Sequence, residues 1–190
     1  MNLLVTGTSG GIGSAVKAAA LARGWRVTEV NRGGFDAPLG GVPFDGVVFA
    51  TGTCPVRPLS QTDDSMFAET IATNCGLFLK LVRRIVSERL YAAGGTRIVA
   101  VSSVSAAEGW PGGSAYCASK GALSALCRAL DAELRPRGIS VSAVEPRHVR
   151  TRMFFETAGR MGVDPASARD PRDLAGELLG LVAGEEGDGR

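Results

Sequence analysis

Tyr116 and Lys120 stand four residues apart, and Ser103 lies thirteen residues before the tyrosine. On a helix, the spacing i, i+4 puts two side chains on one face, so an ammonium can sit beside a phenol. A free phenol titrates near ~10, which makes it a poor acid and a poor base at neutral pH. A cation ~4 Å away contributes roughly 4 kcal/mol at an effective dielectric of ~20, or about three pKa units before losses to solvent. Lys120 is therefore expected to draw the Tyr116 phenol into working range. Ser103 ends the strand-like run from Arg97 to Ser102, and the loop from Ala106 to Gly113 carries the chain back to the tyrosine. In such a trio the serine hydroxyl holds a carbonyl oxygen while the phenol protonates it as hydride reaches carbon. The same Tyr-x-x-x-Lys spacing also arises by chance on an amphipathic helix, so it needs independent support.

The first thirteen residues supply it. Met-Asn-Leu-Leu-Val-Thr-Gly-Thr-Ser-Gly-Gly-Ile-Gly reads as a buried strand and a glycine-rich turn, and Ser14 to Arg23 continues as an alanine-rich helix. Glycines at 7, 11 and 13 permit positive φ and let backbone N–H groups approach an anion, which the helix dipole also favours. The pattern carries weight because it sits between strand and helix. Its plain alternative is a tight turn that needs glycine for packing.

Together the two signals resemble the short-chain dehydrogenase/reductase family. Thr6-Gly7-x-x-x-Gly11-x-Gly13 matches its cofactor loop, Ser103 with Tyr116-Cys117-Ala118-Ser119-Lys120 its active site, and Asn74 its helix asparagine. Pro146-Arg147-His148-Val149-Arg150-Thr151 looks like its Pro-Gly-x-Val-x-Thr segment, and Asp170-Pro171-Arg172-Asp173-Leu174-Ala175 echoes a late helix. The resemblance implies a doubly wound, Rossmann-like parallel α/β sheet and an NAD(P)-dependent oxidoreductase acting on an alcohol or carbonyl. Tyr116 would be the acid/base, Ser103 would position the carbonyl, and Lys120 would lower the phenol pKa and hold the nicotinamide ribose. Asn74 would kink its helix and hold a proton-relay water. Cofactor contacts are implied from Gly7, Thr8, Ser9, Gly11, Ile12 and Gly13, from Ala50, Thr51 and Gly52, and from Pro146, Val149 and Thr151.

Cofactor choice follows from charge at the end of the second strand. A carboxylate there accepts from the ribose hydroxyls and repels a 2′-phosphate, which selects NAD. Here Asn31 removes the repulsion and Arg32 offers a guanidinium to the phosphate, so NADP(H) is expected in preference to NAD(H).

Three departures from the family pattern matter. Only twelve residues, Gly33 to Phe44, separate Arg32 from Asp45, too few for the helix, strand and helix the family places there. Asp36 is the candidate adenine contact on that short loop, with a surface aspartate as the alternative. The family's last strand is missing, which disfavours tetramers built on that edge and leaves homodimers through the helices near 64–90 and 114–135. Phe49-Ala50-Thr51-Gly52 replaces Asn-Asn-Ala-Gly, and Arg147 replaces a glycine, to cover the nicotinamide end, meet an anionic substrate or face solvent.

Alternation of strand-like and helix-like runs agrees with a parallel sheet covered on both faces. Strands are expected near 2–6, 25–30, 46–50, 96–102 and 139–144, with helices near 12–23, 64–90, 114–135 and 171–183. One domain is expected over 1–183 and a frayed tail over 184–190. With 190 residues, 45% of them hydrophobic, there is material for a sizeable core. A net charge of +2 argues neither for nor against nucleic acid, but lysine and arginine are scattered with no run beyond Arg83-Arg84, read as a solvated helix face, and no nucleic-acid partner is expected. Cys54, Cys75, Cys117 and Cys127 include no C-x-x-C pair and only one histidine accompanies them, so buried thiols are expected and no metal. A strand from residue 2 leaves no room for a leader before it and no run spans a membrane, so the expected location is the cytoplasm.

Two readings of other classes remain. Gly7-Thr8-Ser9-Gly10-Gly11 also satisfies the G-x-S-x-G elbow of α/β hydrolases, with Ser9 as nucleophile and His148 as base, but it follows the first strand and leaves Tyr116 and Lys120 without a role. The other is a cofactor-binding sensor or assembly subunit on the same fold, since fold alone does not decide function. The segment Arg152 to Pro165, with Met153, Phe154, Phe155 and Met161, is placed to act as an apolar lid or to pack on the sheet.

Overall fold

The computed structural model describes residues 1–185, so most of the expected tail lies outside the described residues. Five short parallel strands, β1 (Asn2–Thr6), β2 (Arg26–Val30), β3 (Gly46–Phe49), β4 (Thr96–Val101) and β5 (Ile139–Val144), form one sheet in the order β2-β1-β3-β4-β5. The helices are α1 (Gly11–Ala22), α2 (Asp64–Ile71), α3 (Leu77–Ser87), α4 (Ser114–Leu134), α5 (Arg152–Met161) and α6 (Pro171–Ala183). Strands run parallel because each connection crosses over through helix or long loop.

Side-chain alternation along the strands divides the core in two. Leu3, Val5, Val48, Val99 and Val101 pack with Val16 and Ala20 of α1 and with Leu174, Leu178 and Leu179 of α6. Their neighbours Leu4, Val47, Phe49, Ile98 and Ala100 pack on the other face with Phe78, Leu81 and Ile85 of α3 and Leu123 of α4. A strand buried on both faces needs near-continuous apolar residues, which these strands have.

The single helix expected over 64–90 is broken. Asp63 caps α2 by accepting from Met66 N at 2.8 Å. The chain then widens into a π-helical segment, Ala72–Gly76, before α3 begins. Asn74 lies in that wide turn, and its side chain bonds a neighbouring strand end instead of the solvent. A second difference is α5, an unexpected helix inside the 152–165 segment. Thr151 caps it, accepting from Phe154 N at 3.3 Å, and Phe154 and Ala158 bury the same face.

The shortened 33–44 loop fills the core itself. Phe35, Leu39 and Phe44 are all buried, and Phe35 meets Phe49 edge-on at 6.3 Å between ring centroids. Arg84 pins the loop, donating from Nη1 to the Phe35 carbonyl at 2.7 Å and to the Ala37 carbonyl at 2.9 Å. Arg84 was expected on a solvated face; Arg83 is exposed, but the Arg84 side chain is only 16% exposed because it answers those carbonyls.

The free edge of β5 is blunted. Val141 N, directed away from β4, donates to Asp131 Oδ1 at 2.9 Å, so a helix carboxylate takes the place of a further strand at that point. Among the four free cysteines only Cys127 is buried, and the other three are partly exposed, which corrects the expectation that all are interior thiols. No helix among the described residues is long and apolar enough to cross a membrane.

Candidate active site

β1 and β3 are neighbours, yet the chain leaves β1 toward β2 on one side and continues from β3 through β4 to β5 on the other. The connections therefore diverge at the carboxyl ends of β1 and β3, where open parallel sheets form a crevice for ligands. The glycine loop, Asn31 with Arg32, Ala50 to Gly52, Ser103 and Pro146 to Thr151 follow strand ends around this crevice, while Asn74 and the Tyr116–Lys120 pair come from helices.

The glycine loop leaves β1 with Gly7 at φ +68, a conformation that costs a Cβ-bearing residue strain. A Cβ on Gly7 would stand 2.7 Å from the Ala50 carbonyl oxygen, and one on Gly11 would stand 2.6 Å from Thr151 Cγ2. The loop is thus packed between the end of β3 and the segment after β5. It opens into α1, whose N-cap is Gly10 with no side-chain cap and no acidic residue in the first turn. Uncapped amides at a helix start form an anion-binding cradle, so Gly7, Gly11, Ile12 and Gly13 fit a dinucleotide pyrophosphate. Thr6 Oγ1 accepts from Ala50 N at 3.1 Å, Thr51 N at 3.2 Å and Thr51 Oγ1 at 2.9 Å. Thr6 and Thr51 thereby tie β1 to β3.

At the end of β2, Asn31 is bonded to the loop. Its Nδ2 donates to Thr8 Oγ1 at 3.1 Å and its Oδ1 accepts from Ser9 N at 3.4 Å. Arg32 is exposed beside it. Asp36 stands apart from this cluster, with its carboxylate paired to Lys80 of α3 and its side chain 83% exposed.

Ser103 follows β4 as a buried residue, and its hydroxyl accepts from Ser105 N at 3.1 Å. The Ser103 side chain faces the Tyr116 phenol and acts to lower its pKa. Trp110 from the intervening loop lies against Tyr116, ring centroids 6.3 Å apart, and its Nε1 donates to Ser105 Oγ at 3.1 Å. Gly113 is close under the indole, since a Cβ there would approach Trp110 Cε2 to 2.5 Å. Lys120 and Asn74 converge on Gly52: a Cβ there would lie 3.4 Å from Asn74 Oδ1 and 3.7 Å from Lys120 Nζ. Asn74 is fully buried and satisfied, accepting from Thr53 N at 2.7 Å and donating to Thr53 O at 2.9 Å and Ser119 Oγ at 2.8 Å. Ser119 Oγ passes the chain on to the Tyr116 carbonyl at 2.7 Å. Ser103, Tyr116, Lys120 and Asn74 are thus brought together from three segments: the loop after β4, α4 and the π-helical turn before α3.

The electrostatics correct one expectation. Lys120 Nζ donates to the Val101 carbonyl at 2.8 Å and lies 5.7 Å from the centroid of the Tyr116 ring. Burial draws this ammonium down to about 8. Burial likewise pushes the Tyr116 phenol above its ordinary value, with Cys54 adding to the rise and the Ser103 side chain opposing it. The phenol is therefore held protonated rather than drawn toward neutrality, because the ammonium faces a carbonyl and the ring face.

After β5, Pro146 O accepts from Val104 N at 3.3 Å, which sets this segment against the serine loop. Arg147 makes a two-pronged pair with Glu108 at 2.7 and 3.1 Å. Val149 bridges to Arg169, and His148 stacks on Phe154 at 5.5 Å. Phe154 faces inward while Met153 and Phe155 are exposed, and the Met161 side chain lies outside the described residues. Sequence reasoning missed Trp110, Ser119, Cys54 and Thr6 as parts of the site. Of these only Ser119, three residues after Tyr116 and so on its helical face, had a spacing that pointed to it.

Residues 40–160 match the family model for short chain dehydrogenases. The chain belongs to this family. A short-chain type dehydrogenase/reductase from Picea abies is 33% identical over 137 residues, 68% of this chain and 50% of that protein. An NADPH-dependent aldehyde reductase-like chloroplastic protein from Arabidopsis thaliana is 31% identical, with the same coverage of each chain. The chain spans about half the length of these relatives. A solved dehydrogenase/reductase from Sinorhizobium meliloti is 28% identical with TM-score 0.77, over 97% of this chain and 89% of that one. In short chain dehydrogenase terms, the sheet and the Ser103, Tyr116, Lys120 and Asn74 cluster fall in one framework.

Proposed function

We propose that this protein is an NADP(H)-dependent carbonyl reductase whose acid/base is Tyr116. The observation that carries the reading is the convergence of buried Lys120 and Asn74 on Gly52, with Lys120 Nζ 5.7 Å from the Tyr116 ring centroid, in the crevice between β1 and β3. When bound, the nicotinamide supplies the hydride. The uncapped start of α1 would hold the pyrophosphate, with Thr8, Ser9, Asn31 and Arg32 around the adenosine ribose and Val149 and Thr151 beside the nicotinamide end.

The chain's own residues then do the rest. Ser103 and Tyr116 direct two hydroxyls at one carbonyl oxygen and polarise it. The phenol gives its proton as the oxygen becomes an alkoxide, a far stronger base than phenolate, so transfer is downhill even with the phenol pushed up. Lys120, buried beneath the ring, stabilises the phenolate left behind. Asn74, in the π-helical turn beside Lys120, would hold a water that reprotonates the lysine.

The reading includes a small ketone or aldehyde substrate, a reducing cytoplasmic setting that suits four free cysteines, and a homodimer through α2, α3 and α4, where Phe67 and Leu79 are exposed. The test is titration with NADPH and NADH followed by nicotinamide fluorescence, then turnover on a panel of ketones and aldehydes. Tyr116→Phe should lose turnover by about a thousandfold while binding NADPH as before. Tight NADPH binding without any turnover supports the sensor reading instead, and absence of binding overturns both.

A further inference from the structure

A carboxylate stands at the head of the glycine loop where none was looked for. Glu29, the fourth residue of β2, accepts from Thr8 Oγ1 at 2.6 Å. Thr8 in turn accepts from Asn31 Nδ2, and Asn31 holds the Ser9 amide. The acid is therefore wired to the three residues around which the proposed 2′-phosphate site is built. A carboxylate near the end of the second strand opposes a 2′-phosphate by like-charge repulsion. Here its second oxygen is taken up by Lys17, one turn inside α1, at 2.6 Å.

We propose that Lys17 is a specificity-determining residue: by neutralising Glu29 it lets the loop accept the 2′-phosphate of NADP(H), and Arg32 alone would not suffice. The inference rests on the NADP(H) reading above. The reasoning is a charge count over one small region. With Lys17 present, Glu29 and Lys17 cancel and Arg32 leaves a net positive site. Without Lys17, Glu29 cancels Arg32, and the phosphate meets no net attraction while the carboxylate retains its hydrogen bond to Thr8. NADH, which carries a hydroxyl at the same place, is largely indifferent to either change and even gains an acceptor. Glu29 and Lys17 are each more than a third exposed, so the effect is screened and modest, and it must fall with added salt.

The test is a set of dissociation constants for NADPH and NADH, read by nicotinamide fluorescence, for the full chain and for Lys17→Met, Glu29→Gln and the double variant. Glutamine keeps an acceptor for Thr8 while removing the charge. Lys17→Met should weaken NADPH by about threefold to tenfold and leave NADH within about twofold, with the gap shrinking between ~20 mM and ~300 mM salt. The double variant should regain the NADPH affinity lost by Lys17→Met, because no bare carboxylate remains. Equal weakening of both nucleotides, or a double variant as weak for NADPH as Lys17→Met, overturns the proposal and leaves Lys17 as a surface ion pair. Wild-type protein that binds neither nucleotide overturns the underlying reading. Wild-type protein that binds both equally, with Lys17→Met unchanged, overturns this inference while leaving dinucleotide binding in place.

Discussion

Lys120 Nζ and the Val101 carbonyl oxygen are 2.8 Å apart, a bond that fixes the middle of α4 to the last residue of β4. Ser102 Oγ donates to the Lys120 carbonyl at 3.1 Å, so both ends of the lysine are held to the strand that delivers Ser103. The register of tyrosine against serine follows from this anchoring.

The same bond predicts a pH dependence of stability. A lysine drawn down to about 8 by burial weakens the fold while it is protonated, because the unfolded chain holds that proton more tightly. The penalty lifts as pH rises from about 8 through the unfolded value near ~10.4. Relative to Lys120→Met, the native chain should therefore gain about 3 kcal/mol of stability between about pH 7 and about pH 10.5. Urea unfolding of both proteins at the two pH values checks it, and parallel behaviour would show the ammonium to be solvated.

The direction of the Tyr116 shift predicts how the rates titrate. Because burial keeps the phenol protonated, reductive kcat/KM should stay level from about pH 6 to about pH 8 and fall only as Lys120, drawn down to about 8, loses the charge that stabilises phenolate. Oxidation of the corresponding alcohol needs phenolate and should rise about tenfold per pH unit over the same range. Initial rates in both directions across that range test it; an oxidative rate that levels off below about pH 8 would mean that the phenol titrates low.

The chemistry-bearing positions were legible because each sits where strand gives way to loop or on one face of one helix. Ser103 at the end of β4, Gly7 after β1, and Tyr116 with Lys120 on α4 needed only periodicity and spacing. Less could be read where contacts are long-range. Nothing local indicates that Arg84 reaches back to Phe35 and Ala37, that Asp131 caps the edge of β5, or that Lys120 prefers a carbonyl to the phenol. The helix α5 was missed because its turn-forming Thr151 was read only as a binding residue, and the break at Ala72–Gly76 was hidden by an apolar pattern that runs through it.

Asn74 makes three hydrogen bonds through one fully buried side chain. Replacing it with leucine would leave Thr53 N–H and C=O without their side-chain partner and take from Ser119 Oγ the bond it accepts, Ser119 keeping its own bond to the Tyr116 carbonyl. Unmet backbone groups cost about 1 to 3 kcal/mol each, so Asn74→Leu should destabilise by about 3 kcal/mol or more. Ser119→Ala removes the bond from Asn74 and the bond to the Tyr116 carbonyl and should cost about 1 to 2 kcal/mol. Thermal or urea unfolding of the two single variants and the double checks this. The double should lose less than the sum, since both delete the same bond.

Arg84 governs the shortened loop, and its variants should act there and not on the chemistry. The guanidinium donates through one nitrogen to two carbonyls while its Nε and Nη2 hold Glu88. That division of donors depends on a planar fork, which lysine lacks. Arg84→Ala and Arg84→Lys should therefore behave alike: amides of residues 33–44 exchange with solvent about tenfold or more faster, while β4 and α4 keep their protection. Phe35 and Leu39 keep the loop in place through burial, so the loop should loosen without unfolding the sheet. Hydrogen exchange read peptide by peptide separates the cases. Rescue by lysine would show that charge alone holds the loop, and loss of protection throughout the sheet would show that the arginine supports the whole core.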